Sequence, residues 1–209
     1  MGTKEHYENH LANFYSWMIG DFDQKRANFE KFIEENEIYP TSTKVAIDLG
    51  AGTGVQAIAL GNLGFKVTAV DFNQQLLSEL TSNDESNAIN TVQADICDVK
   101  NFESLQPQLI ICCGDTITHL PDKLAVEKLL LDCESILTEN GKLILSFRDY
   151  SSELTDQQRF IPVKSDENRI LTCILEYLSD KVKVTDLLYE KQNGSWNQTV
   201  SIYEKVRLA

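Results

Sequence analysis

One short segment constrains this 209-residue chain more than any other: an apolar run that passes directly into three glycines at alternate positions. The run reads Val45-Ala-Ile-Asp48-Leu-Gly50-Ala-Gly52-Thr-Gly54-Val55. Glycine is needed where the backbone turns with positive φ or must approach a ligand without an intervening Cβ. A helix that begins directly afterwards would add unpaired N–H groups at its first turn. The segment therefore predicts a strand, a tight loop and a helix around a polar, nucleotide-like ligand.

From Lys44 to about residue 150 the same unit repeats: an apolar strand, a polar turn and an amphipathic helix. Short continuous apolar runs suit strands that are covered on both faces. Alternation of strands and helices predicts a doubly wound, mostly parallel sheet with right-handed crossovers and helices on both faces. We expect strands at 45–49, 66–70, 91–94, 109–113 and 142–147, and helices near 55–63, 73–82 and 121–137.

The two ends of the chain have different patterns. Residues 1–40 are expected to form an N-terminal helical cap, with an aromatic segment at 10–18 and an amphipathic helix that stops before Pro40. After residue 150, three strand-like runs at 169–178, 182–190 and 196–208 are separated by short polar breaks typical of hairpins. The length favours one domain, 1–209, with parts 1–40, 41–150 and 151–209.

The spacing of the glycines separates two classes of nucleotide-binding loop. A dinucleotide loop of the form GxGxxG would place its third glycine at position 55, where this chain has Val55. Here an acid, Asp48, instead precedes the first glycine by two residues, and two further acids, Asp71 and Asp95, follow the next two strands. Open α/β sheets bind ligands at the carboxyl ends of their strands. The pattern DxGxGxG resembles motif I of the class I S-adenosylmethionine-dependent methyltransferases.

This resemblance covers residues 40–150 and implies a Rossmann-like fold and the cofactor S-adenosyl-L-methionine, with S-adenosyl-L-homocysteine as product. It implies that the glycine loop wraps the amino-acid and ribose part of the cofactor, that Asp71 binds the ribose hydroxyls and that Asp95 lies beside the adenine. The segment after the fourth strand is similar to the one that passes under the methionine in this family. The implied cofactor-binding residues are Asp48, Gly50, Gly52, Gly54, Asp71, Phe72, Asp95, Ile96, Cys113 and Gly114.

The residues that act on the methyl acceptor are not fixed by the sequence, and catalytic roles stay open. His119 is a candidate base because of its near-neutral pKa, or else a helix-entry residue bonded to backbone or solvent. Tyr15 belongs to an aromatic stripe that either covers the sulfonium or packs in the core. Arg148, at the end of the fifth strand, is a candidate for binding an acidic group of the substrate.

Charge and cysteine usage exclude several other functions. A net charge of −13 and a pI near 4.6 disfavour nucleic acids and anionic membranes as partners. Five cysteines, an odd number with no CxxC spacing, are expected to be reduced, buried thiols in a cytoplasmic protein. We expect no metal ion. A small-molecule acceptor is therefore the expected partner, and the oligomeric state stays open.

Two alternative functions, and two arrangements of the C-terminal strands, are compatible with the sequence. A noncatalytic protein that binds S-adenosylmethionine or S-adenosylhomocysteine would carry the same loop, whereas a nucleotide-cofactor oxidoreductase is disfavoured by the missing GxGxxG. The C-terminal antiparallel strands either supply the closing hairpin of the parallel sheet or form a substrate-side meander. We expect the first arrangement.

Overall fold

The computed structural model describes residues 5–7 and 10–208 of the chain. These residues divide into two compact units. The parallel unit comprises residues 21–117 and 124–147. The meander unit comprises the described residues up to 20, residues 118–123 and those from 148 onward. The N-terminal cap predicted for residues 1–40 contributes to both units, and its residues 1–4, 8 and 9 lie outside the described part.

The parallel unit contains the predicted doubly wound sheet. Its strands are β1 (Val45–Leu49), β2 (Lys66–Asp71), β3 (Asn90–Gln93), β4 (Leu109–Cys112) and β5 (Lys142–Leu145). They run parallel in the order β3-β2-β1-β4-β5. Strands β2 and β3 lie on one side of β1, and β4 and β5 lie on its other side. With right-handed crossovers, connections that run in these two directions place helices on opposite faces of the sheet. The predicted fold class is confirmed.

The helices follow the predicted periodicity closely. They are α1 (Tyr15–Ile19) in the meander unit, followed by α2 (Phe22–Glu35), α3 (Val55–Asn62), α4 (Gln74–Asn83) and α5 (Lys123–Ile136), with 3₁₀ turns at Leu11–Phe14, Ile96–Leu105, Thr116–His119 and Asp156–Arg159. The central strands are apolar at successive positions, and Ile110 and Ile111 are both fully buried. Consecutive buried side chains point to opposite faces, which shows that the strand is covered on both sides.

The C-terminal region corrects our expectation of a closing hairpin. Its strands β6 (Phe160–Ser165), β7 (Arg169–Tyr177), β8 (Lys181–Gln192) and β9 (Ser195–Val206) form a separate antiparallel sheet in the order β6-β7-β8-β9. The parallel sheet therefore ends at β5. Four strands are present rather than the three predicted. Strand β6 was not predicted because its pairing with β7 shifts register between Pro162 and Lys164. This irregularity breaks the alternation of side chains that marks a strand in sequence.

The sequence of β9 alternates between polar and apolar residues, and its more polar face is the buried one. Ser201, Tyr203 and Lys205 are buried, whereas Val200 and Ile202 are 50% and 42% exposed. Tyr203 and Lys205 lie opposite Val184 and Val182 of β8, so these two polar groups of β9 have aliphatic neighbours. No helix among the described residues is long and apolar enough to cross a membrane.

Candidate functional site

The loop after β1 is held against β2 by its backbone. The amides of Gly50 and Ala51 both donate to the Val70 carbonyl, at 2.8 and 3.0 Å. Gly50 has a φ of +79°, and a Cβ at this position would lie 2.3 Å from Cγ2 of Thr116. Glycine is therefore required twice over at position 50, for the backbone angle and for the close approach of the segment after β4.

The third glycine of the loop begins helix α3. Gly54 is its N-cap with a φ of +93°, and a Cβ there would lie 2.5 Å from Cγ of Leu80. The first turn of a helix carries amides without intrahelical partners. One of them, on Ala57, bonds to the Asp48 side chain. The loop and the helix start thus form a backbone cradle of the kind that binds polar ligands.

Asp71 ties the end of β2 to this loop. Its Oδ2 accepts a hydrogen bond from the Gly52 amide at 2.9 Å, and its Oδ1 accepts one from the Asn73 amide at 2.8 Å. Burial raises the pKa of Asp71, and the backbone hydrogen bonds from Asn73, Gly52 and Phe72 oppose that rise. A carboxylate has about four acceptor sites, so the group still has capacity for a ribose hydroxyl.

Asn73 is a functional neighbour that sequence reasoning missed. Its side chain accepts from the Leu76 amide at 3.1 Å and caps helix α4. Asp71 is therefore not the cap of that helix. The signal was available in the sequence, because Asn directly before an apolar helical pattern is a common N-cap.

Asp48 is the most perturbed group of this site. It is 1% exposed, and its Oδ2 has no hydrogen-bond partner among the described residues. Burial first, and then the charge of Asp71, raise its pKa to about 8, while the hydrogen bond from Ala57 lowers it. A buried carboxyl with an unsatisfied oxygen is costly. A ligand with a positive charge or N–H donors, such as the amino-acid part of S-adenosylmethionine, would satisfy it.

The segment after β4 brings Cys113 and Gly114 to the same edge of the sheet. The Gly114 amide donates to Ser146 Oγ at 3.0 Å, and the Asp115 amide donates to the Ser146 carbonyl at 3.2 Å. A Cβ at Gly114 would meet no described atom within 4 Å, so there is open space beside it. Ser146 thus fixes the path of this segment, a role that sequence reasoning did not assign.

Asp95 and Ile96, the residues predicted on the adenine side, follow strand β3. Asp95 is exposed and accepts from the Cys97 amide at 2.9 Å, which caps the 3₁₀ turn that follows. Ile96 is buried. Phe72, which follows β2, is half-buried, and its carbonyl accepts from Gln93 Nε2 at 3.1 Å. Contacts of Asp95 and Ile96 with the adenine, and of Phe72 with the cofactor, stay a prediction.

The three candidate catalytic residues lie in the meander unit. The His119 ring lies parallel to the Tyr203 ring at 5.6 Å and edge-on to the Tyr7 ring at 5.5 Å. Tyr15 is half-buried and packs against a cluster that contains Leu11, Phe14, Leu171 and Leu188. Arg148 is exposed. Their roles in catalysis stay a prediction.

The aromatic stripe has a structural role. The indole of Trp17 donates to Asp166 and lies beneath the Lys164 ammonium, 5.4 Å from the ring centroid, and the Arg169 guanidinium, 5.7 Å away. These contacts bind Trp17 to the ends of β6 and β7.

All five cysteines are free thiols, as predicted. Cys112, Cys113 and Cys133 are buried, whereas Cys97 and Cys173 are only half-buried, which corrects the expectation that all are buried. Desolvation raises the pKa of Cys97 to about 11 and that of Cys133 to about 12, so these thiols stay protonated at neutral pH. Within residues 5–7 and 10–208, no group of three His, Cys, Asp or Glu side chains is arranged to hold a metal ion.

Taken together, the fold and the cradle define a nucleotide-binding α/β domain whose ligand site has an acid at the end of β2. Residues 46–141 match the model of a family described as a methyltransferase domain. The chain is 28% identical over 152 residues to glycine/sarcosine N-methyltransferase of Aphanothece halophytica, covering 70% of this chain and 57% of that one. It is 23% identical to glycine N-methyltransferase of Rattus norvegicus over 233 residues, which cover 100% of this chain and 77% of that one.

Solved structures share the fold. An S-adenosylmethionine-dependent methyltransferase from Clostridium acetobutylicum superposes with a TM-score of 0.73 at 20% identity, covering 96% of this chain and 82% of that one. An amino pentose methyltransferase from Micromonospora echinaspora, solved with S-adenosylmethionine bound, superposes with a TM-score of 0.69 at 12% identity. The superposition covers 91% of this chain and 79% of that one.

The predicted resemblance to the class I S-adenosylmethionine-dependent methyltransferases is confirmed by the match to the methyltransferase-domain model and by the shared fold. The predicted cofactor, S-adenosyl-L-methionine, is confirmed with it. The chain spans only 57% of the length of its Aphanothece relative and 24% of that of a relative from Actinopolyspora halophila.

Proposed function

We propose that this protein transfers a methyl group from S-adenosyl-L-methionine to a small-molecule acceptor by in-line displacement. The observation that carries the proposal is the junction of the glycine loop with Asp71, where the Gly52 amide bonds to a buried carboxylate at 2.9 Å. Such a junction presents backbone donors and an acid at the carboxyl edge of the sheet, where doubly wound folds bind nucleotides. The bound cofactor supplies an activated methyl group on a sulfonium.

The chain's own residues then have distinct tasks in this proposal. Asp71 accepts hydrogen bonds from the ribose hydroxyls. Asp48 lies beside the amino-acid part, and the Cys113–Gly114 segment borders the methionine. Asp95, Ile96 and Phe72 contact the adenine. Catalysis then depends mainly on alignment of the acceptor atom with the methyl carbon and on exclusion of water.

His119 is our candidate for the group that removes a proton from the acceptor. Its ring is held by aromatic contacts with Tyr203 and Tyr7, so its orientation is restricted. An imidazole that is held in one orientation is suited to general-base catalysis. Arg148, which is exposed, and Tyr15 remain weaker candidates.

The acidic charge supports a small acceptor. With a net charge of −13, the chain would repel a nucleic-acid backbone rather than attract it. The relatives named above are described as acting on glycine, sarcosine and an amino pentose, all of which are small molecules. A location in the cytoplasm is part of this proposal and is supported by the five free thiols.

The proposal is tested by transfer of labelled methyl from S-adenosylmethionine to a set of small amines, alcohols, thiols and acids. Enzyme-dependent appearance of label in one acceptor, with stoichiometric S-adenosylhomocysteine, is the expected result. Tight binding of the cofactor without transfer to any small molecule would favour a noncatalytic binding protein. Binding of NADH in place of both sulfur compounds would favour an oxidoreductase.

A further inference from the structure

The antiparallel sheet of the meander unit has two edge strands, β6 and β9, and their sequences differ in kind. Strand β6 has only six residues, contains Pro162, and shifts register between Pro162 and Lys164. Short length, proline, a bulge and a lysine are all devices that keep an edge strand from pairing with another chain. The β6 edge is therefore protected against association.

Strand β9 has none of these devices over most of its length. It has twelve residues, contains no proline, and pairs with β8 without a register shift from Ser195 to Val206. Its two charged residues, Glu204 and Lys205, lie near its C-terminal end. The stretch 195–203, which reads Ser-Trp-Asn-Gln-Thr-Val-Ser-Ile-Tyr, carries no charge. An edge strand of this length and composition is a template for pairing with another strand.

Hydrogen bonds at the end of β9 show which of its backbone groups face the open edge. The amide of Arg207, directly after β9, donates to the carbonyl of Asp180, directly before β8, at 2.9 Å. The next carbonyl, of Leu208, instead accepts from the Tyr150 amide at 3.2 Å. Backbone groups of successive strand residues point to alternate sides. Because the pairing has no register shift, odd-numbered residues of β9 bond to β8 and even-numbered residues direct their N–H and C=O groups to the open edge.

The even-numbered residues of β9 also carry exposed side chains. Trp196 is 47% exposed, Val200 is 50% exposed and Ile202 is 42% exposed, and Gln198 is exposed as well. Within residues 5–7 and 10–208, no strand pairs with this edge. A row of outward backbone groups beside exposed apolar side chains favours the addition of a further strand.

The order of residues in β9 suits a second copy of the same strand. If two copies pair antiparallel about a two-fold axis at Thr199, Trp196 lies opposite the partner's Ile202, and Gln198 lies opposite the partner's Val200. An aromatic side chain opposite a β-branched one stabilises antiparallel pairing. These pairs join even-numbered residues, whose backbone groups face the open edge, so the two strands can form a regular hydrogen-bonded ladder.

Charge favours the same occupant and the same register. Each copy has a net charge of −13, so two copies repel unless the segments in contact are themselves uncharged. The stretch 195–203 meets this condition. With Thr199 on the axis, Glu204 and Lys205 fall opposite the partner's turn, at the positions of Asn193 and Gly194. Like charges therefore do not face each other in the paired strands.

We propose that β9 pairs with β9 of a second copy of this chain, antiparallel and with Thr199 on the two-fold axis. The two four-stranded sheets then join into one sheet of eight strands. The interface is isologous, because the same strand is used by both copies, and it closes at a dimer. This inference goes beyond the proposed methyltransferase function and does not depend on it.

Sedimentation velocity over a range of concentrations tests the association. We expect the wild type to form a dimer of its 23.6-kDa chain. Val200→Pro removes an outward N–H without removing a bond to β8, and it should weaken the dimer at least tenfold. Val200→Thr keeps the N–H and the β-branched side chain, so it should match the wild type. A wild type that stays monomeric, or a folded Val200→Pro variant that dimerises as well as the wild type, would overturn the inference.

Cysteine cross-linking tests the register and keeps the question decidable if Val200→Pro does not fold. In the proposed register residue 199 faces itself in a non-hydrogen-bonded pair, where Cα atoms lie about 4.5 Å apart, within reach of a disulfide. With diamide as oxidant, Thr199→Cys should form a covalent dimer. Glu204→Cys, at another exposed position of β9, and the wild type with its own five thiols should not. No cross-link at position 199, or a cross-link at position 204 alone, would overturn the proposal.

A dimer in which the exposed faces of two sheets pack together would respond differently. Ile170 is 40% exposed on the same face as Val200, but it belongs to β7, which β8 separates from β9. Ile170→Lys should leave an edge-paired dimer intact. Loss of the dimer in this variant would overturn edge pairing in favour of face-to-face packing.

Discussion

Asp71 Oδ2 accepts a hydrogen bond from the Gly52 amide at 2.9 Å, so the carboxylate that ends β2 is fixed to the glycine loop that follows β1. The two groups are 19 residues apart in sequence and belong to adjacent parallel strands. Because the second oxygen of Asp71 bonds to the Asn73 amide, the orientation of the carboxylate is set before any ligand binds. The site is thus preorganised by backbone geometry.

Replacement of Gly50 by alanine should disrupt the loop. The new Cβ would lie 2.3 Å from Thr116 Cγ2, in a residue that already has a φ of +79°. Gly194→Ala is the matched control, because Gly194 has a φ of +80° and open space around it. We expect each variant to lose about 1 kcal/mol through backbone strain and Gly50→Ala to lose at least about 1–3 kcal/mol more through overpacking. Urea unfolding measures the difference, and equal losses would contradict the steric argument.

Loss of the Asn73 side chain should weaken helix α4 at the ligand site. Asn73→Ala removes the cap on the Leu76 amide, and Asp21→Ala removes an equivalent cap on Gln24 at the start of α2. Both should cost about 1 kcal/mol of unfolding free energy. Only Asn73→Ala should also weaken binding of S-adenosylhomocysteine, by a few-fold, because Asn73 adjoins Asp71. Equal affinities for the two variants in calorimetry would argue against this coupling.

Asp48 should make the protein less stable as pH rises. Its folded pKa of about 8 exceeds the ordinary aspartate value of 3.8, so the folded state binds more protons between these values. The stability that this proton contributes is complete below pH 4 and is lost as pH rises towards 8. Asp48→Asn should remove that slope, so its advantage over the wild type grows by at least about 1 kcal/mol between pH 5 and pH 8. Unfolding curves at both pH values check this, and parallel losses in the two proteins would refute it.

His119 should affect turnover rather than cofactor binding. His119→Gln removes the titrating imidazole while retaining a polar side chain, and we expect kcat to fall by about 10²-fold or more if the ring accepts the acceptor's proton. The affinity for S-adenosylhomocysteine should be unchanged. A wild-type kcat and pH profile in this variant would assign His119 to packing against Tyr203 alone.

The parallel unit was predictable because its information is local. Strand β1 matches its predicted bounds at both ends, and the glycine loop and Asp71 lie where the spacing placed them. Each of these features depends on a short segment, since apolar runs, turn glycines and strand-terminal acids act through neighbouring backbone. The cap at Asn73 is local in the same way, because an Asn directly before an apolar helical pattern is a common N-cap.

The meander unit was less predictable because its arrangement depends on distant pairing. The sequence of β9 shows alternation, but nothing in it states that Tyr203 and Lys205 face inward while Val200 faces outward. That choice depends on the residues opposite, such as Asp186 across from Ser201. In the same way, His6 lies 195 residues from Ser201, so the buried contact between these two side chains could not be derived from any local pattern.

The central claim is that the glycine loop and Asp71 bind S-adenosylmethionine through its ribose. Calorimetric titration of the wild type and of Asp71→Asn with S-adenosylmethionine, S-adenosylhomocysteine and NADH tests it most directly. The account predicts micromolar binding of both sulfur compounds to the wild type, at least tenfold weaker binding to Asp71→Asn, and no binding of NADH. Equal affinities in the two proteins, or binding of NADH alone, would contradict it.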